Sequence, residues 1–457
     1  MNSMEKYVYI EINWKGGFLM FRLLRRKNNN KQRGKDRSWR LILDVGTEFM
    51  KAGIICCQRG NPPQLFGYGR VRQDYSDMEG GAISNIGGVV EAAREAIGLA
   101  RQRSQAEPEE VVMGIAGEFV KGMVTSRQKE RKNPDRPICW KEIGEMVTRA
   151  QQHARLKVGE IISREMGLDD IEIELLNSSL VEVRIDGYRV NNPADFQGKV
   201  LSLKLFTTFA PLVHVGALRT LARKLDLKLR SLVAEPFAVA NSILTAEAYE
   251  FGALVIDIGG GTTDVALIRN GGIEGTRMLA MGGRAFTRSL AGELNLSLKE
   301  AERLKLDYSR SQQQQDKEGD IEEERERIVA RILRCDLNIL YEGLELTLQE
   351  LAQGEALPRK IYFCGGGSAL AGLVDGLQEQ RFYETLPFFS PPQLIRLRGQ
   401  DIPGIKDEES LLEGAEAVTP RGLAVQAGQL DEGHSLAGKI EVNYPRIKSE
   451  ACNVTQV

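Results

Sequence analysis

The residues best placed to do chemistry lie in Ala253-Leu254-Val255-Ile256-Asp257-Ile258-Gly259-Gly260-Gly261-Thr262-Thr263-Asp264-Val265-Ala266-Leu267-Ile268. This is an apolar run that ends on an acid, turns through three glycines and two hydroxyl residues, and returns as a second apolar run, the pattern of a hairpin. Consecutive glycines let backbone N–H groups approach an anion where a side chain would collide, and an acid at a strand end can hold a hydrated cation. The chemistry that fits is Mg²⁺–phosphate binding. The same grammar occurs in Leu41-Ile42-Leu43-Asp44-Val45-Gly46-Thr47, with Lys51-Ala52-Gly53-Ile54-Ile55 as its return strand. A single turn of this kind also serves as a plain surface hairpin. Two of them far apart indicate a duplicated fold, with the turns on opposite walls of one cleft and Asp44 and Asp257 facing one Mg²⁺–phosphate group through water.

Further on, Lys360-Ile361-Tyr362-Phe363-Cys364-Gly365-Gly366-Gly367-Ser368 reads as a strand, a glycine turn and the approach to a helix. Backbone in such a turn can lie flat against a nucleoside. An ordinary strand-to-helix turn has the same composition, and only its place after the two phosphate motifs favours the nucleotide.

The elements that must hold these turns are bounded by bulk properties. A chain of 457 residues exceeds one hydrophobic core, and its 42% hydrophobic content suits a globular protein. A formal charge of −2 argues against a globally basic nucleic-acid binder. The six cysteines show no CxxC pair, which suits reduced thiols in the cytoplasm and argues against structural zinc. No apolar run approaches the ~20 residues of a membrane span.

Near the N-terminus, the basic stretch from Arg22 to Arg40 reads as a flexible arm. On a helix, Met20, Phe21, Leu23 and Leu24 would share one face opposite Arg22, Arg25 and Arg26, so Phe18 to Lys27 is a candidate for peripheral membrane contact. A disordered basic leader is the other reading. Lys15-Gly16-Gly17 could be encoded by a ribosome-binding sequence, which makes Met20 an alternative start to Met1. Elsewhere, Ser309 to Arg327 reads as a solvated loop feeding a charged helix, and Leu337, Leu340, Leu344, Leu348 and Leu351 as the buried stripe of a helix.

In order and company, the three glycine motifs resemble those of the actin-like ATPase superfamily, from about Leu41 to Gly428. The resemblance implies an α/β fold: a duplicated actin-like, ribonuclease H-like fold with an inserted α+β domain. It implies ATP and Mg as cofactors, with Asp44, Gly46, Thr47, Lys51, Asp257, Gly259, Gly260, Gly261, Thr262, Thr263, Gly365, Gly366, Gly367 and Ser368 around the nucleotide. Glu235, opening Glu235-Pro236-Phe237-Ala238, matches the family's acid that orients attacking water. A helix-starting glutamate beside proline explains it equally well. Gly282 and Gly283 match the turn into the next subdomain, where Glu302 and Lys305 would face the nucleoside, although an i,i+3 pair is also an ordinary helix salt bridge.

The stretch Val111 to Leu232 resembles the inserted domain of the bacterial cell-division FtsA family, with a strand at Val111 to Gly117, a helix at Trp140 to His153, strands around Ile171 to Ile185 and Val200 to Phe209, and a helix from Pro211 to Lys224. The implied layout is a flexible leader (1–38), a first subdomain (39–110), the insert (111–232), a second phosphate half (233–290), a small helical subdomain (291–355), the adenosine motif and end of the core (356–430), and a flexible tail (431–457). The FtsA resemblance implies a division-ring scaffold that meets the tubulin-like protein FtsZ and other division proteins, self-assembles into polymers, and works in the cytoplasm at the inner face of the cell membrane. Hydrolysis is left open between slow and absent. One departure is the tail, where Gly433 to Val457 contains Tyr444-Pro445 and few apolar residues for the family's C-terminal tether. The alternative is a PilM-like ATP-binding component of type IV pilus assembly. A small-molecule kinase of the same fold fits less well, since no acceptor loop with its own acid stands out.

Overall fold

The computed structural model describes residues 8–15, 18–25, 37–314, 320–379, 382–430 and 441–442. Two five-stranded arrangements with one topology dominate it. In the first half, strands Arg37–Val45, Phe49–Gln58 and Gln64–Arg72 form an antiparallel meander; Glu110–Ile115 pairs parallel with the first of them, and Lys228–Ala234 parallel beyond that. In the second half, Ala253–Ile258, Thr263–Arg269 and Gly272–Leu279 form the meander, followed outward by parallel Lys360–Cys364 and Gln393–Arg396. Both read third-second-first-fourth-fifth in spatial order. The duplicated ribonuclease H-like fold expected from the two hairpins is therefore present.

The first strands are covered on both faces, with Leu41, Ile42 and Leu43 essentially inaccessible, as continuous apolar runs require. Helix Ile86–Ser104 covers one face of the first sheet; Asn85 caps it by accepting from the Gly87 N–H, and it buries Val89, Ala93, Ala96 and Ala100. Between the halves, helices Glu235–Ser242 and Val418–Gln429 pack together through Phe237, Ala238, Ala240, Leu423 and Ala424 in one shared core. Small side chains such as Ala238, Ala240 and Ala424 let the two helix axes come close.

The inserted unit is narrower than 111–232. Glu110–Ile115 and Lys228–Ala234 belong to the first sheet, and helix Leu212–Lys224 packs on it through Val215, Leu218 and Leu221. The inserted strands are Lys121–Glu130, Ile173–Ile185, Tyr188–Arg189 and Val200–Pro211. The first of these carries alternating polar residues that conceal it in the sequence. Helix Trp140–Met166, longer than expected, buries Ile143, Met146, Val147, Ala150, Ala154, Val158 and Ile162 along one stripe and ends on Gly167 at φ 64°. Although the insert leaves the chain from the first half, its sheet continues the second one, through Gly122 paired with Thr276. Arg189 reinforces this junction by donating to the Tyr249 hydroxyl and the Asn270 carbonyl.

Helices Gly283–Leu294, Leu298–Gln314 and Asp320–Ala352 form the small subdomain. Leu337, Leu340, Leu344, Leu348 and Leu351 are buried as their spacing predicts. Ser309 to Gln314, expected as loop, continue a helix, because glutamines are good helix formers and the preceding turns are anchored by buried Ala301; residues 315–319 lie outside the described part.

At the N-terminus the structure corrects the helical patch. Phe18–Arg25 is a strand, paired antiparallel with Val8–Lys15. A short stretch rich in Phe, Leu and Met fits either period, and the adjacent alternating segment supplies the strand partner that decides it. Of the patch, Arg26 and Lys27 lie outside the described residues, as does most of 431–457; Glu441–Val442 is a short strand parallel to Ile173–Ile185. No helix among the described residues is long and apolar enough to cross a membrane.

Candidate functional site

The two glycine turns meet. A Cβ built on Gly260 would lie 2.7 Å from Glu48 Cβ, and one on Gly261 would lie 2.8 Å from Thr47 Oγ1. The glycines thus let the first and second glycine turns pack directly on one another. Thr262 and Thr263 are buried, and the Thr263 hydroxyl donates to the Met281 carbonyl 2.7 Å away. The Gly282-Gly283 turn leans on the same loop, with the Gly283 N–H donating to the Gly259 carbonyl at 2.9 Å.

Register then places the charges. In the first hairpin Asp44 sits opposite Lys51, and Lys51 Nζ donates to Asp44 Oδ2 at 2.9 Å. Burial works against charge on Lys51, but the Asp44 carboxylate above all, with Tyr68 and Asp257, holds it protonated well above its ordinary range. In the second hairpin Asp257 sits opposite another acid, Asp264. Asp257 accepts from the Thr419 hydroxyl at 2.6 Å. Its carboxyl is pushed up by burial, a rise that Thr419 and Lys51 reduce and Asp44 adds to. Asp264 is pushed up to about 8 by burial and by the charge of Asp257, with Thr262 opposing the shift.

Glu235 opens its helix, 9% exposed, with Oε1 lacking a hydrogen-bond partner. Burial and the charges of Asp44, Asp264 and Asp257 push its carboxyl far up, against Lys51. Four carboxyl groups, Asp44, Asp257, Asp264 and Glu235, therefore cluster at the ends of the two hairpins, with Lys51 acting on Asp44, Asp257 and Glu235. Such a set is short of positive charge, which a hydrated divalent cation carrying a phosphate would supply. Among the described residues no group of three or more His, Cys, Asp or Glu side chains is arranged to hold a metal ion directly. The donor set fits a cation held through its water shell.

The third glycine motif touches the same acids. Gly365 has φ 80°, and a Cβ there would fall 2.2 Å from Asp257 Oδ1, so only glycine passes. Its strand ends beside Asp257 at Cys364, and Ser368, buried, donates to the Gly365 carbonyl at 2.7 Å within a short 3₁₀ turn over Gly366–Ala369. Glu302 and Lys305 form a 2.8 Å ion pair on one helix face; both hold Thr287, and Lys305 also donates to the Gly283 carbonyl at 2.7 Å. Burial opposes ionisation of Glu302, yet Lys305, Thr287 and Arg72 keep its carboxyl below the usual range. Their heads are occupied in bracing the Gly282-Gly283 turn.

Sequence reasoning passed over Asp264 as a site group although it lies in the quoted motif, where it reads as one polar residue of a strand. Thr419 carried no signal, because its partner Asp257 is 162 positions away. Gly114 is similar: a Cβ there would lie 2.7 Å from Glu235 Oε1, so its small size makes room for the acid.

Two halves of third-second-first-fourth-fifth topology, joined at paired helices with their glycine hairpins facing one another, define the actin-like class of proteins. Known proteins agree at two levels. Residues 254–403 match the family model for cell division protein FtsA. Cell division protein FtsA of Streptococcus pneumoniae serotype 2 is 25% identical over 408 residues, covering 86% of this chain and 84% of the relative. That of Neisseria meningitidis serogroup B is 24% identical over 346 residues, covering 73% and 80%. Among solved structures, a chain of a PilM-PilN type IV pilus biogenesis complex superposes with a TM-score of 0.60 at 20% identity, covering 85% of this chain and 98% of that one; at that identity the likeness concerns the fold. Within the actin-like class, this chain is thus similar over most of its length to FtsA-family proteins, at about a quarter identity.

Proposed function

We propose that the chain binds Mg-ATP in the cleft between its two hairpins and acts in bacterial cell division as an FtsA-type scaffold, assembling with itself and with the FtsZ ring. The observation that carries the nucleotide reading is the cluster of Asp44, Asp257, Asp264 and Glu235 with Lys51 at the ends of the glycine turns. In this reading Asp44 and Asp257 hold the hydrated Mg²⁺, backbone around Gly46, Thr47 and Gly259 to Thr262 receives the phosphates, and Gly365 to Ser368 borders the nucleoside. The bound nucleotide supplies a triphosphate whose hydrolysis needs an oriented water. Glu235, buried with Oε1 lacking a hydrogen-bond partner, is the residue positioned to orient it.

The division role rests on the FtsA relatives, which span most of this chain. The test is co-sedimentation of the full chain with FtsZ polymers, with and without Mg-ATP, beside midcell localisation of a fluorescent fusion. Binding to FtsZ and a midcell band support the reading. Absence of both, together with capture by the cytoplasmic tail of a pilus membrane protein, replaces it with the PilM-like one, with which the fold is equally compatible. In the same reading the protein works in the cytoplasm at the inner membrane face, a location that the likeness to the FtsA relatives supports. Contact through Phe18 to Lys27 is tested by liposome flotation of the full chain beside a form lacking the residues before Arg37. Flotation that survives the deletion removes that segment from the account.

A further inference from the structure

One residue touches both phosphate turns. The backbone N–H of Arg284, at the start of helix Gly283–Leu294, donates to the Gly260 carbonyl at 2.7 Å. Its side chain crosses to the first half, where Nε donates to Glu48 Oε2 at 2.7 Å and Nη1 to the carbonyls of Met78 and Tyr75 at 3.3 and 3.4 Å. Its guanidinium also lies 4.5 Å from the centre of the Tyr75 ring. Glu48 directly follows Thr47 of the first phosphate turn, and the two side chains are 3% and 14% exposed, so water screens the pair little. A second rung lies beside it: Arg72 pairs with Glu48 within the first half and reaches Glu302 of the small subdomain at 3.7 Å.

We propose that Arg284 is a positioning residue that clamps the two phosphate turns into one unit, so that nucleotide leaves the cleft only when the Arg284–Glu48 pair breaks. The proposal rests on the nucleotide reading above, and it assigns the control of exchange to a pair outside the phosphate motifs. A planar fork bonding a carboxylate and two carbonyls at once sets orientation as well as distance, which an ammonium group does not reproduce. Opening the cleft separates Glu48 from Arg284, because one belongs to each half.

The experiment uses the full chain and a fluorescent ATP analogue with Mg²⁺, displaced by excess ATP in a stopped-flow instrument. Arg284→Gln and Glu48→Gln are each expected to speed release at least tenfold, the double variant to be no faster than the faster single one, and Arg284→Lys to fall between wild type and Arg284→Gln. Unchanged release in both single variants, or additive effects in the double, overturns the clamp. Amide exchange of the nucleotide-free proteins is the second readout, and it remains decisive if wild type binds no nucleotide and the underlying reading fails. Arg284→Gln should then expose the amides of Gly46 to Glu48 and Gly259 to Thr262 while those of Leu41 to Leu43 stay protected. Equal exchange at both turns refutes the clamp, and loss of protection throughout assigns Arg284 to folding instead.

Discussion

The two hairpins occupy equivalent places in the duplicated fold, yet they differ at one register position. Opposite Asp44 stands Lys51; opposite Asp257 stands Asp264. The first hairpin thus carries its own counter-ion, and the second stacks two acids and depends on charge from elsewhere. Duplication fixed the backbone frame, and a single cross-strand residue in each copy then divided the work. The first hairpin meets its acid with a lysine on the return strand; the second sets two acids side by side, where the proposed reading places added positive charge.

Removing the counter-ion of the first hairpin gives the largest effect. Lys51→Met leaves Asp44 buried without its ion pair, and chemical denaturation is expected to register a loss of about 3–5 kcal/mol. Asp257→Ala should lower Mg-ATP affinity by about a hundredfold, near 2.7 kcal/mol, by calorimetric titration. Glu235→Gln keeps the shape and removes the acid, so affinity should hold while single-turnover hydrolysis slows by about a hundredfold.

The smallest expected effect is on pH dependence. Asp264, pushed up to about 8, keeps a proton in the folded chain that the unfolded chain releases near the ordinary carboxylate value. The folded state therefore binds more protons in that window. Its stability contribution is complete below the unfolded pKa, falls as pH rises, and is gone above about 8. Between pH 6 and 7, without Mg²⁺, wild type should lose up to about 1.4 kcal/mol relative to Asp264→Asn. Parallel pH profiles for the two proteins would remove the contrast between the hairpins.

Much of this was legible in the chain, because it is written locally. Each hairpin with its glycine turn lies within some sixteen consecutive residues, and the buried stripe from Leu337 to Leu351 follows one helical period. What lay hidden depends on residues far apart. Thr419 reaches Asp257, and Arg284 reaches Glu48, only after the halves close. The continuation of the second sheet into the insert rests on Gly122 meeting Thr276, for which no local pattern exists. The N-terminal patch failed for the opposite reason: eight residues are too few to separate a period of 3.6 from one of 2, and the pairing of Phe18–Arg25 with Val8–Lys15 settles it.

The central claim, that the acid-rich second hairpin recruits Mg²⁺ with a nucleotide, is tested most directly by titrating ATP into the full chain with and without Mg²⁺, for wild type and Asp257→Ala. The account predicts binding by wild type that weakens markedly when Mg²⁺ is withheld, and weak binding by the folded variant in either condition. Equal affinity for both proteins, or wild-type affinity indifferent to Mg²⁺, would contradict it.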